Sequence, residues 1–206
     1  ALAKTDGTPT GTSQVQDGFV GPISSALGVT TTGGDDLLYF SADGSLGKGY
    51  ELWVSNGTTT TQVDDLRLGP ESSDPANLTQ SGEQFFFTAR TDTDDDSTYE
   101  LFVITTPSDT SAQPTSLRQI QGSNQFQTFA AADEHLVFLT EGSSRGTKLW
   151  NSDGTAINTS QVFVYDDDGE LVSSIIDPQD MVALGQAFLF VVDGELYSSV
   201  REETAT

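Results

Sequence analysis

Short apolar bursts recur along the chain at nearly constant spacing, separated by stretches rich in Thr, Ser, Gly and Gln. The most regular column is Glu51-Leu52-Trp53, Glu100-Leu101-Phe102, Lys148-Leu149-Trp150 and Glu195-Leu196-Tyr197, with Ala1-Leu2-Ala3 as a weaker first copy. These copies start at positions 1, 51, 100, 148 and 195, so the repeat is 47 to 50 residues long. A second column precedes each of the last four: Leu38-Tyr39-Phe40-Ser41-Ala42, Phe85-Phe86-Phe87-Thr88-Ala89, Leu136-Val137-Phe138-Leu139-Thr140 and Phe188-Leu189-Phe190-Val191-Val192, with Phe always third. Asp6-Gly7-Thr8, Asn56-Gly57-Thr58 and Asp153-Gly154-Thr155 follow three of the Leu columns, and Asp/Asn-Gly supplies the positive φ of tight hairpin turns.

Each unit therefore predicts four short strands. The first strands are expected at 26–30, 75–79, 126–130 and 181–184, and the second and third are the Phe and Leu-aromatic columns. The fourth are expected at 14–17, 62–66, 116–120 and 161–165. The Phe-column strands are apolar at both parities instead of alternating, so both faces of each small sheet are buried, as when sheets stack face to face. Four strands per repeat of this length is the pattern of propeller blades. The expectation is an all-β, single-domain β-propeller over 1–206, with repeats at about 1–50, 51–99, 100–147, 148–194 and a partial one at 195–206. The last unit lacks a fourth strand, and the segment 14–17 is a fourth strand without a unit. A ring of four closed by that N-terminal strand beside Glu195–Val200 is the first reading; a chain cut from a longer array is the other.

Composition narrows the function. Eight Lys and Arg stand against 31 Asp and Glu, for a net charge of −23. Phosphate affinity comes from clustered cations, so nucleic acid is not an expected partner. No run approaches the ~18 apolar residues of a membrane span. Without Cys there are no disulfides and no thiol chemistry, and the single His135 rules out any site needing two imidazoles. The acidic excess suits a cation-rich exterior where counter-ions relieve self-repulsion. The chain opens on Ala1, not Met, which leaves room for a removed leader or upstream region.

The residues resemble a known family at this point. Glu51-Leu52-Trp53-Val54-Ser55-Asn56-Gly57-Thr58 and Lys148-Leu149-Trp150-Asn151-Ser152-Asp153-Gly154-Thr155 look like the ELWxxDGT repeat of large secreted or surface proteins of bacteria. Leu38–Ala42 and the run from Gly69-Pro70-Glu71-Ser72-Ser73-Asp74 to Pro75-Ala76-Asn77-Leu78-Thr79 match its wider pattern, whereas Val103-Ile104-Thr105-Thr106-Pro107 departs from it. The resemblance implies an extracellular or cell-surface, propeller-like array within adhesin-like proteins, and no catalytic residues.

Candidate chemistry lies in the loops. Asp92, Asp94 and Asp96, and Asp166, Asp168 and Glu170, alternate in a way that offers oxygen ligands to Ca²⁺, which takes 6–8 of them. Neither run completes a calcium loop: Ser97 stands where the first needs Gly, and Gly169 falls too early in the second. The alternative is a solvated acidic loop and an Asp-Gly turn. Trp53, Trp150, Phe102 and Tyr197 are either sugar-stacking platforms or inter-sheet core. Asn56, Asn77 and Asn158 head N-x-Ser/Thr triplets, relevant to glycosylation only where the source glycosylates secreted proteins. His135 sits in no nucleophile motif and reads as structural.

The expected function is a non-enzymatic extracellular binding or scaffold module, with no required cofactor and Ca²⁺ as the candidate ion. Its partners would be another protein, a surface glycan, or further repeats or subunits of a larger assembly. The competing class is a carbohydrate-active enzyme using paired carboxylates on the propeller face. Against it, the acids cluster in loop segments, no nucleophile–base pair is evident, and Arg67, Arg90, Arg118, Arg145 and Arg201 are scattered singly.

Overall fold

The computed structural model describes residues 1–16, 18–20, 22–29, 36–44, 47–91, 98–120, 126–132, 134–141, 147–165, 171–173, 181–184, 187–192 and 194–199, and its regular elements are all β-strands. β1 (Leu2–Lys4) and β2 (Ser13–Gln16) form a hairpin. The first sheet follows in chain order as β3 (Ser25–Val29), β4 (Leu37–Asp43), β5 (Tyr50–Ser55) and β6 (Thr60–Gln62). The second is β7 (Ala76–Ser81), β8 (Gln84–Ala89), β9 (Tyr99–Ile104) and β10 (Thr115–Ile120). The third is β11 (Phe126–Ala132), β12 (His135–Glu141), β13 (Thr147–Ser152) and β14 (Ser160–Gln161). A small hairpin, β15 (Val164–Tyr165) with β16 (Leu171–Ser173), precedes a three-stranded fourth sheet of β17 (Met181–Leu184), β18 (Ala187–Val192) and β19 (Glu195–Ser199). All of these pairings are antiparallel.

Register gives the stack a direction. The third residue of each Phe column lies opposite the aromatic of the Leu column: Phe40 with Trp53, Phe87 with Phe102, Phe138 with Trp150, Phe190 with Tyr197. Because side chains alternate between faces with period two, this pair occupies one face of each sheet, while the Leu beside the aromatic and the residue before the Phe occupy the other. The paired aromatics face the preceding element. Phe87 and Phe102 pack with Tyr39, Leu52 and Val54 of the first sheet. Phe138 and Trp150 pack with Phe86, Leu101 and Val103 of the second. Phe190 packs with Val137, Leu139 and Leu149 of the third, with Tyr197 beside it. Phe40 and Trp53 face Leu2 of the N-terminal hairpin and Phe19, whose ring meets both edge-on at 5.5 and 5.3 Å. Each sheet thus has a rear aromatic face and a front face led by Leu, and the front of one packs on the rear of the next.

Polar ties reinforce these boundaries. Tyr39 stacks on Phe85 at 4.3 Å and its hydroxyl donates to the Pro107 carbonyl at 2.9 Å. Arg118 of β10 lies over the Trp150 ring at 4.4 Å, a cation–π contact between the second and third sheets. Ser81 donates its hydroxyl to the His135 carbonyl at 2.6 Å, joining the β7–β8 turn to the start of β12.

Two expectations are corrected. The segment 14–17 does not complete the last sheet: β2 pairs with β1, and among the described residues no core joins the fourth sheet to the first or to the hairpin. A local hairpin needs only a short loop closed, whereas pairing with β19 needs a loop of most of the chain. The 5–12 loop is also knit locally, with Thr5 and Thr12 hydroxyls 2.7 Å apart and Asp6 holding Thr8. The second correction is that two fourth strands end early. Val63 and Val162 still donate to the Leu52 and Leu149 carbonyls at 2.8 Å, but beyond them the chain leaves the sheet. Residues 64–66 are drawn toward Glu51 and Lys48, and Val164–Tyr165 pairs with β16 instead.

Candidate functional site

Among the described residues the most enclosed carboxylate belongs to the repeat motif itself. Glu51 opens the Leu column of β5 on the same face as Trp53, and it is 1% exposed. Its carboxylate gathers the connection between the first and second sheets. Oε1 accepts the Ser73 N–H at 3.0 Å; Oε2 accepts the Ser73 hydroxyl at 2.6 Å and the Leu66 N–H at 3.3 Å. Ser73 and Asp74 N–H also reach the Tyr50 carbonyl at 3.0 and 3.2 Å, and the Ser72 hydroxyl accepts from Tyr50 N–H at 2.9 Å. From the far side, Arg90 N–H donates to the Ser73 carbonyl at 2.7 Å, and its guanidinium meets Asp74 at 3.2 Å and lies over the Tyr99 ring at 4.9 Å.

This latch needs unusual backbone. Asp74 and Asn77 both adopt positive φ, 47° and 55°, a region in which Asp and Asn are enriched. Gly49 at φ 69° packs so closely on Ser72 that a Cβ there would lie 2.8 Å from its backbone. Loss of hydration pushes the Glu51 carboxyl up to about 7; the donors from Ser73 and Leu66 work against that rise, and Asp65 adds to it. Asp65 is itself paired with Lys48 at 2.8 Å. The arrangement can store and release a proton near neutrality, but it seals the carboxyl behind its own loop.

Other repeat acids hold turns. Asp153 Oδ1 accepts both the N–H and hydroxyl of Thr155, at 2.9 and 2.7 Å, and Oδ2 accepts from Asn158 at 2.6 Å. Asp6 holds Thr8 in the same way, and Asn56 accepts from the N–H groups of Thr58 and Thr59. These side chains act as local turn closures. The Thr8 hydroxyl and N–H hold the Asp6 carboxyl below its ordinary range; at Asp153 burial pulls the other way and the Thr155 and Asn158 donors prevail. Glu100, the counterpart of Glu51 in the second sheet, accepts the hydroxyls of Thr91 at 2.7 Å and Ser116 at 2.5 Å.

The other sequence candidates divide clearly. Asp92, Asp94, Asp96, Asp166, Asp168 and Glu170 lie outside the described residues. Among the described residues no three His, Asp or Glu side chains come together in a way that would hold a metal ion. Trp53, Phe102 and Trp150 are buried and Tyr197 half-buried on rear faces, so they serve as inter-sheet core rather than as sugar platforms. Asn56 and Asn158 are exposed, the latter with its amide on Asp153; the Asn77 amide donates to the Thr88 hydroxyl at 3.0 Å. His135 begins β12 beside the Ser81 hydroxyl. Glu51 was not singled out from the sequence. Its signal was an acid heading a strand that is otherwise apolar, paired with the later Ser-Ser-Asp run.

No protein-family model matches the chain, and a search of curated proteins finds no match.

Proposed function

We propose that the chain is a non-enzymatic binding or scaffold module of the ELWxxDGT-repeat kind, working outside the cell or at its surface as part of a propeller-like array. The observation that carries this reading is the use made of the motif's polar residues. Glu51 fastens one inter-sheet connection and Asp6, Asn56 and Asp153 close turns, so these motif positions hold the sheets in place rather than face a substrate. The stacked sheets then present their loops as the variable surface, where another protein or a surface glycan would be engaged. In this reading Ca²⁺ at the 92–96 and 166–170 loops would be an accessory ion.

A glycosidase needs two carboxylates flanking an open cleft. Among the described residues the carboxyl raised to about 7, that of Glu51, is instead enclosed by hydrogen bonds from its own connection. The test is a paired assay on the intact chain: binding to an array of surface glycans and to intact bacterial cells, and hydrolysis of chromogenic glycosides. Saturable binding without turnover supports the module; turnover abolished by a single Asp or Glu substitution would establish the enzyme instead.

A further inference from the structure

The Leu column gives the same residue four times in one register, and its surroundings differ only once. Leu52, Leu101 and Leu149 are 1%, 0% and 1% exposed, each on the front face of its sheet under the rear aromatics of the next. Leu196 occupies the equivalent front position of the fourth sheet and is 69% exposed. Its cross-strand partner is Val191, and Val182 and Leu189 lie in the adjoining row with Ser198. Val182 is 57% exposed. These five positions carry no charge in a chain with 31 acids, a composition that marks an interaction surface rather than a solvated one.

What fits this face is written in the three boundaries below it. Every packed front meets a rear face bearing a stacked cross-strand pair: Phe87 with Phe102 at 5.2 Å, Phe138 with Trp150 at 6.1 Å, Phe190 with Tyr197 at 5.8 Å. A second copy of this chain cannot supply such a pair, because its leading rear face, Phe40 and Trp53, is already covered by Leu2 and Phe19. Two front faces placed together would bring Leu against Leu with no aromatic pair between them.

We infer that the front face of the fourth sheet, centred on Leu196 and Val182, is a docking surface for one further unit of the same repeat, presenting a stacked aromatic pair on its rear face. This inference rests on the packing alone and is independent of any extracellular role or ligand.

The test compares the full chain with the full chain extended by a second copy of residues 105–161, which supplies a connection, a fourth strand and a rear Phe–Trp pair. In the unextended chain Leu196→Asp should leave the melting temperature within about 2 °C, while Leu149→Asp abolishes cooperative melting. In the extended chain the Leu196 methyl groups should become shielded from a soluble paramagnetic probe, and Leu196→Asp should then lower the melting temperature by several degrees. Replacing the appended copy's Phe–Trp pair with Ser should reverse both effects. A lone unit cannot bury its own faces, so an appended unit that stays unfolded or leaves Leu196 unshielded overturns the proposal. So does unfolding of the unextended chain by Leu196→Asp, or a dimer of it that this substitution dissociates.

Discussion

The substitution Glu51→Gln should remove a pH dependence that the fold places in one side chain. Burial lifts the Glu51 carboxyl from 4.5 to about 7 in the folded chain, while unfolding returns it to water. Below pH 4.5 both states hold the proton. Between 4.5 and 7 the unfolded chain ionises and the folded one does not, so stability falls as pH rises and levels off above about 7. At about 1.4 kcal/mol for each pKa step, the full swing is about 3–4 kcal/mol, most of it between pH 5 and 8. The amide introduced by Glu51→Gln keeps an oxygen for the Ser73 N–H and can donate to the Ser73 hydroxyl, whose own proton can turn to the Tyr50 carbonyl 3.3 Å away. The assay is urea unfolding of both proteins at pH 5, 6, 7 and 8. Subtracting one series from the other removes the self-repulsion that both share. The wild type should lose about 2–3 kcal/mol more than the variant across this range. Parallel series would refute the placement of Glu51 as an enclosed carboxyl.

Truncating Phe87 or Phe138 to Ala should cost about 3–5 kcal/mol in chemical unfolding, and a loss below ~1 kcal/mol at both would break the repeat register. Tyr39→Phe deletes the hydrogen bond to Pro107 and should cost about 1 kcal/mol; in the wild type, burial followed by the charge of Asp109 pushes the Tyr39 phenol up to about 12, visible as a late step in an ultraviolet alkaline titration. Arg118→Ala should cost about 0.5–1 kcal/mol through the lost contact with Trp150, and Arg118→Lys should recover part of it. With a net charge of −23, salt should raise the melting temperature by screening over a Debye length of ~10 Å at 0.1 M. A further rise specific to millimolar CaCl₂, lost in Asp94→Asn or Asp168→Asn, assigns a calcium site; equal shifts in matched NaCl assign a solvated acidic face.

The period-two pattern made the strands and their double burial readable, because Phe85, Phe86 and Phe87 cannot all be apolar unless both faces are covered. Direction along the stack was not readable from the columns, since Phe40 and Tyr39 are equally apolar and only packing says which meets the next sheet. Ring closure was inferred from complementary strand counts, which carry no information about loop entropy, and there a local hairpin prevailed. The turn chemistry of Asp153-Gly154-Thr155 was visible as Asp-Gly, but the Thr looked incidental until its hydroxyl and N–H were seen to share one carboxyl oxygen. Glu51 was missed because a carboxylate at a strand's start reads as exposed; its burial depends on donors from Leu66 and Ser73, 15 and 22 residues away.

The central claim, that each sheet's front packs on the next sheet's rear, is tested most directly by inter-ring nuclear Overhauser effects in aromatic-labelled protein. Tyr39 ring protons should show strong cross-peaks to Phe85, whose ring centroid lies 4.3 Å away, while Phe40 shows them to Phe19 at 5.5 Å. Cross-peaks from Phe40 to Phe85 and from Tyr39 to Phe19 would reverse the faces and contradict the directional stack.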